Sequence, residues 1–135
     1  MLTDARNPEH WFDFAERDLA RACRRFAEGD YEDCLFRLQQ CAEKVLKGKL
    51  IALGWKLQKV HDLGSLIVAL GSYGIDCSWF EPAADVLATD YIADRYPGFD
   101  DTPPDAIELR GFVTDTTSLF ERLSGRRHTG PRLAS

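Results

Sequence analysis

Apolar side chains recur three and four residues apart along most of the chain, which is the pattern of amphipathic helices. Asn7 and Pro8 are typical of a helix start, and Gly29 is typical of a helix end. The apolar residues between them fall on one helical face: Trp11, Phe12, Ala15, Leu19, Ala22, Cys23 and Phe26. No stretch alternates with period two over more than a few residues. The sequence therefore predicts an all-α protein.

The same apolar pattern, with the glycine, proline and capping residues that interrupt it, predicts five helices. They run from Asn7-Pro8 to Gly29, from Asp30 to about Leu53, from about His61 to Tyr73, from about Trp79 to Asp94, and from Thr102-Pro103 to about Leu123. The short Gly29-Asp30 connection makes the first two helices an antiparallel hairpin. We expect a four- to five-helix up-and-down bundle formed by residues 1–125. A basic tail, residues 126–135, lacks periodicity and is expected to be disordered.

The second predicted helix has an unusual outer side. At about 100° per residue, its core residues fill one arc of the helical wheel. The opposite arc holds a polar ribbon, formed by Gln40, Glu43, Lys44 and Lys47, and apolar Phe36 and Ile51 flank it. This side is either a solvated surface with two exposed hydrophobic residues or a covered face whose charges must pair. The second interpretation is favoured because the two apolar residues lie near the two ends of the ribbon.

Charge is distributed unevenly over this chain of 135 residues with net charge −5. From Asp76 to Glu108 there are nine acidic residues and one basic residue, whereas the chain from Arg122 onward has four arginines and no acid. A globally basic nucleic-acid binder is therefore not indicated, and any anion site must be local. The first helix carries an outer row of arginines: Arg17, Arg21, Arg24 and Arg25. A solvated face is favoured for this row over a phosphate track, because acidic residues are close by.

The four cysteines show no CxxC spacing, and three of them fall within predicted helices. We interpret them as small buried hydrophobic residues and expect no metal and no other cofactor. No apolar run is long enough to span a bilayer, and the first ten residues are polar. We therefore expect a cytosolic protein with no membrane contact.

Several short motifs follow one another along the chain. Ala15-Glu16-Arg17-Asp18-Leu19 is followed by Gly29-Asp30-Tyr31, and the run Gln40-Cys41-Ala42-Glu43-Lys44-Val45-Leu46-Lys47 comes next. Val60-His61-Asp62-Leu63 precedes the third helix, and Asp90-Tyr91 precedes Arg95-Tyr96-Pro97. Together they resemble the HEPN domain (higher eukaryotes and prokaryotes nucleotide-binding), with its QxxEKxxK, HDL and YxxxRYP motifs. The resemblance covers roughly residues 10 to 123.

This resemblance implies a helical bundle that forms homodimers and partners a minimal nucleotidyltransferase in toxin–antitoxin-like pairs. Many HEPN proteins are metal-independent endoribonucleases, which carry an arginine, a polar residue next to it, and a histidine after four to six intervening residues. Here Arg95 is followed by no such histidine, and the one formal match, Arg122 to His128, runs off the last helix. We therefore favour a non-catalytic binding module. The alternatives are an endoribonuclease toxin and a purely structural dimerisation domain.

The residues expected to bind a nucleotide-like anion, RNA or a partner protein come from three of these motifs: Gln40, Glu43, Lys44, Lys47, His61, Arg95 and Tyr96. Each also has a structural explanation. His61 would cap the third helix, Arg95 would pair with a nearby carboxylate such as Glu43, and the two lysines would be solvated or ion-paired.

Overall fold

The computed structural model describes residues 4–88 and 104–130, and these residues form helices and their connections. The α-helices are α1 Pro8–Ala27, α2 Tyr31–Ala52, α3 Leu63–Ser72, α4 Glu81–Leu87 and α5 Ala106–Ser124, and the 3-10 turn Ser78–Phe80 leads into α4. This part of the chain contains no strand. The predicted all-α fold is confirmed.

Helices α1 and α2 form the predicted antiparallel hairpin. The side chain of Asn7 accepts a hydrogen bond from the backbone of Glu9 at the start of α1, and Asp30 caps α2 in the same way. Between the two helices, Gly29 adopts φ +78°, a left-handed conformation that suits glycine. These local signals explain why both helices begin and end close to their predicted positions.

α2 is the central helix of the bundle and packs against α1, α3, α4 and α5. One continuous hydrophobic core packs against its inner side. The largest completely buried side chains of this core come from several helices. They include Leu19 on α1, Leu38 and Leu46 on α2, Phe80 in the 3-10 turn and Phe120 on α5. Because the core occupies one side of the hairpin, the other side is left to the polar ribbon.

Two helix starts differ from the sequence prediction. α3 is capped by Asp62, whose carboxylate accepts a hydrogen bond from the backbone of Ser65 at 3.0 Å, so His61 does not cap it. α5 begins at Ala106, because Asp105 and Glu108 form a reciprocal capping box there. The predicted start of this helix at Thr102-Pro103 was therefore too early. The predicted end of the fourth helix at Asp94 lies outside the described residues.

Residues 126–130, which we call the strap, lie along α1 in an irregular conformation. Arg126 reaches the carboxylates of Glu9 at 2.6 Å and Asp13 at 2.8 Å. The His128 backbone donates to Glu121 at 2.7 Å, and its imidazole is buried edge-on against the ring of Phe120. The strap is the first part of the tail that the sequence predicts to be disordered. Residues 131–135 lie outside the described part.

All four cysteines are free and buried, as expected of small hydrophobic residues. Burial raises the pKa of the Cys34 thiol to about 12 and also raises that of Cys41. Both thiols therefore stay protonated and unreactive at neutral pH. None of the described helices is long and apolar enough to cross a membrane.

Candidate functional site

The polar ribbon of α2 forms a compact network with the connection that precedes α3. The Lys47 ammonium donates to Oε2 of Glu43 at 3.0 Å, and Nδ1 of His61 lies 3.1 Å from the same oxygen. Lys47 is only 3% exposed, whereas His61 is open to solvent. A buried ammonium is costly unless a counter-charge and hydrogen bonds compensate it. The shared oxygen of Glu43 provides that compensation.

Lys44 belongs to a second network, which joins α2 to α1. Its ammonium lies 2.5 Å from Oδ2 of Asp18, a buried carboxylate on α1. Arg37 approaches the other oxygen of Asp18 at 3.7 Å. Both lysines of the ribbon are therefore ion-paired, and α1 and the segment before α3 cover this side of α2 in part.

Aromatic rings and cations alternate on the exposed side of the hairpin. The Arg17 guanidinium lies 5.0 Å from the centroid of the Phe14 ring, and Arg37 lies 5.1 Å from that of Phe36. Lys44 lies 6.0 Å from the Phe14 centroid. We call this surface the outer face; it consists of Phe14, Arg17 and Asp18 on α1 and of Phe36, Arg37 and Lys44 on α2. The ion pairs and cation–ring contacts of the outer face join residues of α1 and α2, and they include the ion pair of Arg37 with Asp33.

An open pocket of about 220 Å³ lies beside the outer face. It is lined by Asp4, Ala5, His10, Trp11, Phe14 and Lys44. Two hydrogen bonds hold its wall: the Trp11 indole donates to the carbonyl of Ala5 at 2.7 Å, and the Asp4 backbone donates to Nδ1 of His10 at 2.8 Å. The pocket thus offers two aromatic side chains next to a paired ammonium group.

The structure brings together only some of the predicted site residues. Glu43, Lys47 and His61 meet directly, and Lys44 turns to α1 instead. Gln40 is half-buried on the same helix. Arg95 and Tyr96 lie outside the described residues.

Sequence reasoning missed the part of the site that α1 contributes. Trp11, Phe14 and Asp18 lie at three- and four-residue steps along α1, beside its core stripe. Asp18 directly precedes buried Leu19, and an acidic residue so close to the core could have indicated a partner for the lysines of the ribbon. The rotation of α1 about its axis, which brings Asp18 to Lys44, is not encoded in any local pattern.

The one formal nuclease pair does not form an accessible site. The Arg122 guanidinium lies 4.6 Å from the centroid of the Trp79 ring. The side chain of His128 is buried, with Nδ1 3.6 Å from a carboxylate oxygen of Glu16 on α1. A histidine that handles the proton of a substrate hydroxyl must reach that hydroxyl. The geometry therefore gives no support to these two residues as a catalytic pair.

The fold defines an all-helical bundle organised around a hairpin with a paired polar ribbon. The chain matches the family model of the HEPN domain over residues 8–123, which is most of its length. It belongs to the HEPN family, and the resemblance drawn from its motifs is confirmed at that level. No curated protein and no solved structure matches the chain.

Proposed function

We propose that this chain is a non-catalytic binding module of the HEPN family, that it acts as a homodimer, and that it binds a partner protein of the nucleotidyltransferase type. The observation that carries the proposal is the outer face. Phe14 is 36% and Phe36 is 44% exposed, and each has an arginine beside its ring. Aromatic residues and arginine are the types most enriched at the energetic centres of protein–protein interfaces.

The charges of the ribbon favour a protein over a small anion as the principal ligand. A phosphate bound by Lys44 and Lys47 would have to compete with Asp18 and Glu43 for both ammonium groups. Breaking a buried ion pair is costly, because it leaves an uncompensated charge behind. A protein that docks on the outer face leaves both pairs intact.

A nucleotide-like anion is the second candidate ligand, and the pocket beside Lys44 supports it. A base would contact Trp11 and Phe14, and its phosphate would lie near the rim of the pocket. Aromatic side chains commonly stack on nucleobases in this way. Binding of such a ligand requires the Lys44 ammonium to weaken its ion pair with Asp18 and to contact the phosphate instead.

Two measurements on the purified protein test the proposal. Light scattering should give the mass of a dimer, and a monomer at working concentration would overturn the homodimer. Thermal unfolding with millimolar ATP, GTP or AMP should show no protection. Protection that disappears in Lys44→Ala would favour the second candidate.

Incubation with RNA tests the non-catalytic part of the proposal. We expect no cleavage in the absence of metal. Cleavage by the wild type that is lost in either Arg122→Ala or His128→Ala would refute the non-catalytic assignment.

A further inference from the structure

The exposed side of α1 carries an arginine ridge, formed by Arg17, Arg21 and Arg24. The spacing of four and three residues places them on one helical face, over about 10 Å of the helix axis. All three are exposed, and none has an acidic partner among the described residues. Arg25, by contrast, is held by Glu28 at 2.9 Å and Asp33 at 3.0 Å. The ridge therefore presents three uncompensated positive charges.

The acidic residues of α1 are engaged by cations other than the ridge, and one of them, Asp18, pairs with Lys44. Arg126 of the strap contacts Glu9, Asp13 and Glu16 at 2.6, 2.8 and 3.5 Å. These carboxylates are thus engaged by the strap, while the ridge has no counter-charge. Arg17, Arg37 and Lys44 outnumber Asp18 on the outer face, so this face is locally positive in a protein with net charge −5.

The ridge is continuous with the outer face and with the pocket. Arg17 contacts Phe14, which forms part of the pocket wall, and Lys44 joins Phe14 to Asp18. Arg37 extends this chain of contacts from Asp18 to Phe36. A single ligand can therefore contact the ridge, the exposed rings and the pocket together.

The size of the pocket indicates what enters it. Its volume of about 220 Å³ is below the range of about 300 to 1,000 Å³ that small-molecule sites usually have. Its exposed lining is apolar. One bulky apolar side chain fits such a pocket, and interface pockets commonly take a single anchor residue of the partner.

We infer that the outer face docks an acidic segment of a partner protein, which places one bulky apolar side chain in the pocket and carboxylates along Arg17, Arg21 and Arg24. Arginine suits this role because its planar guanidinium binds carboxylates through two parallel hydrogen bonds. The inference rests on the proposed function, since it specifies the chemistry of the partner that the module binds.

The test uses a defined acidic probe and nuclear magnetic resonance. The probe is a 15-residue peptide with three glutamates spaced four and three residues apart and one tryptophan a helical turn away. Titration into the ¹⁵N-labelled full chain should shift the amide signals of Phe14 and the ridge and the indole signal of Trp11. The indole of Trp79, on a different part of the bundle, should not shift. Replacing the tryptophan of the probe with alanine should weaken binding about tenfold.

Two variants that lose the same charge distinguish specific binding at the ridge from a general effect of net charge. The triple variant Arg17→Ala, Arg21→Ala and Arg24→Ala should weaken binding of the probe about tenfold. The control, Lys56→Ala, Lys59→Ala and Arg122→Ala, removes the same charge from exposed positions away from α1 and should leave binding unchanged. Equal losses in both variants would overturn the inference.

Three further outcomes would also overturn it. These are no shift at millimolar probe, tighter binding of a ten-nucleotide single-stranded DNA to the same residues, and loss of the homodimer in the ridge variant. The last outcome would make a second copy of the chain the occupant of the face. A wild-type protein that dimerises but ignores the probe refutes only this inference, whereas a monomer that binds the probe refutes only the proposed homodimer.

Discussion

At the scale of single residues, Gly48 sets how closely the two helices of the hairpin approach. A Cβ atom added there would lie 2.7 Å from a ring carbon of Phe12 and 2.9 Å from Cβ of Trp11. The Cβ of Trp11 is fixed to its backbone, and the Phe12 ring is packed in the core. Neither can move aside easily. The absent side chain thus lets α1 lie where Asp18 reaches Lys44 and where Trp11 lies beneath Lys47.

Gly48→Ala is therefore expected to destabilise the protein by about 1 kcal/mol. Overpacking of a core contact typically costs about 1–3 kcal/mol, which exceeds the gain of about 1 kcal/mol from replacing a helical glycine with alanine. Urea unfolding followed by circular dichroism measures the difference. The control is Gly111→Ala in α5, where no atom lies within 4 Å of the added Cβ. This variant should show only the increase in stability that comes from the higher helix propensity of alanine. Equal stabilisation in both variants would show that the close contact is not a constraint.

At the scale of the helices, capping residues close in the sequence determined which helix starts could be predicted. α1 and α2 begin at the predicted caps, because Asn7 and Asp30 bond to their own first turns. The start of α5 was misplaced because Thr102-Pro103 and Asp105 are both acceptable starts, and only the capping box with Glu108 decides between them. The ribbon was visible on the helical wheel, but its partner Asp18 depends on how α1 packs against α2.

The N-cap of α3 gives an element-level prediction with a definite pH dependence. Hydrogen bonds from the hydroxyl and backbone of Ser65 lower the pKa of Asp62 below its ordinary value of 3.8. The folded state thus favours the carboxylate, so its contribution is complete well above pH 3.8 and is lost as the pH falls through the lowered folded-state value. Asp62→Ala should cost about 1 kcal/mol at pH 7.

Urea unfolding of the wild type and Asp62→Ala at pH 7 and below pH 3 measures this contribution. The difference between the two proteins should shrink at the lower pH. Asp62→Asn keeps a capping side chain without the charge, and its difference from Asp62→Ala should change little with pH. A wild-type advantage over Asp62→Ala that is as large below pH 3 as at pH 7 would contradict the role of the charged cap.

At the scale of the whole molecule, the strap ties the end of α5 to the start of α1. Burial by itself would lower the pKa of Arg126, but hydrogen bonds to Glu9 and Asp13 raise it above its ordinary value. Arg126 therefore stays charged wherever the fold is stable. His128 adds a buried ring against Phe120. The contacts of Arg126 join residues more than one hundred positions apart, which explains why a search for local periodicity did not find them.

Removing the strap should therefore weaken the closed bundle. A chain that ends after Gly125 is expected to lose about 2 kcal/mol of unfolding free energy, because it loses the ion pairs of Arg126 and the buried surface of His128. A chain that ends after Gly130 keeps both and is the matched control, since the two truncations differ only in residues 126–130. High salt should reduce the gap between them, because the side chain of Arg126 is 27% exposed and salt screens its ion pairs. Equal urea midpoints for the two truncated chains would mean that the strap lies on the bundle without stabilising it.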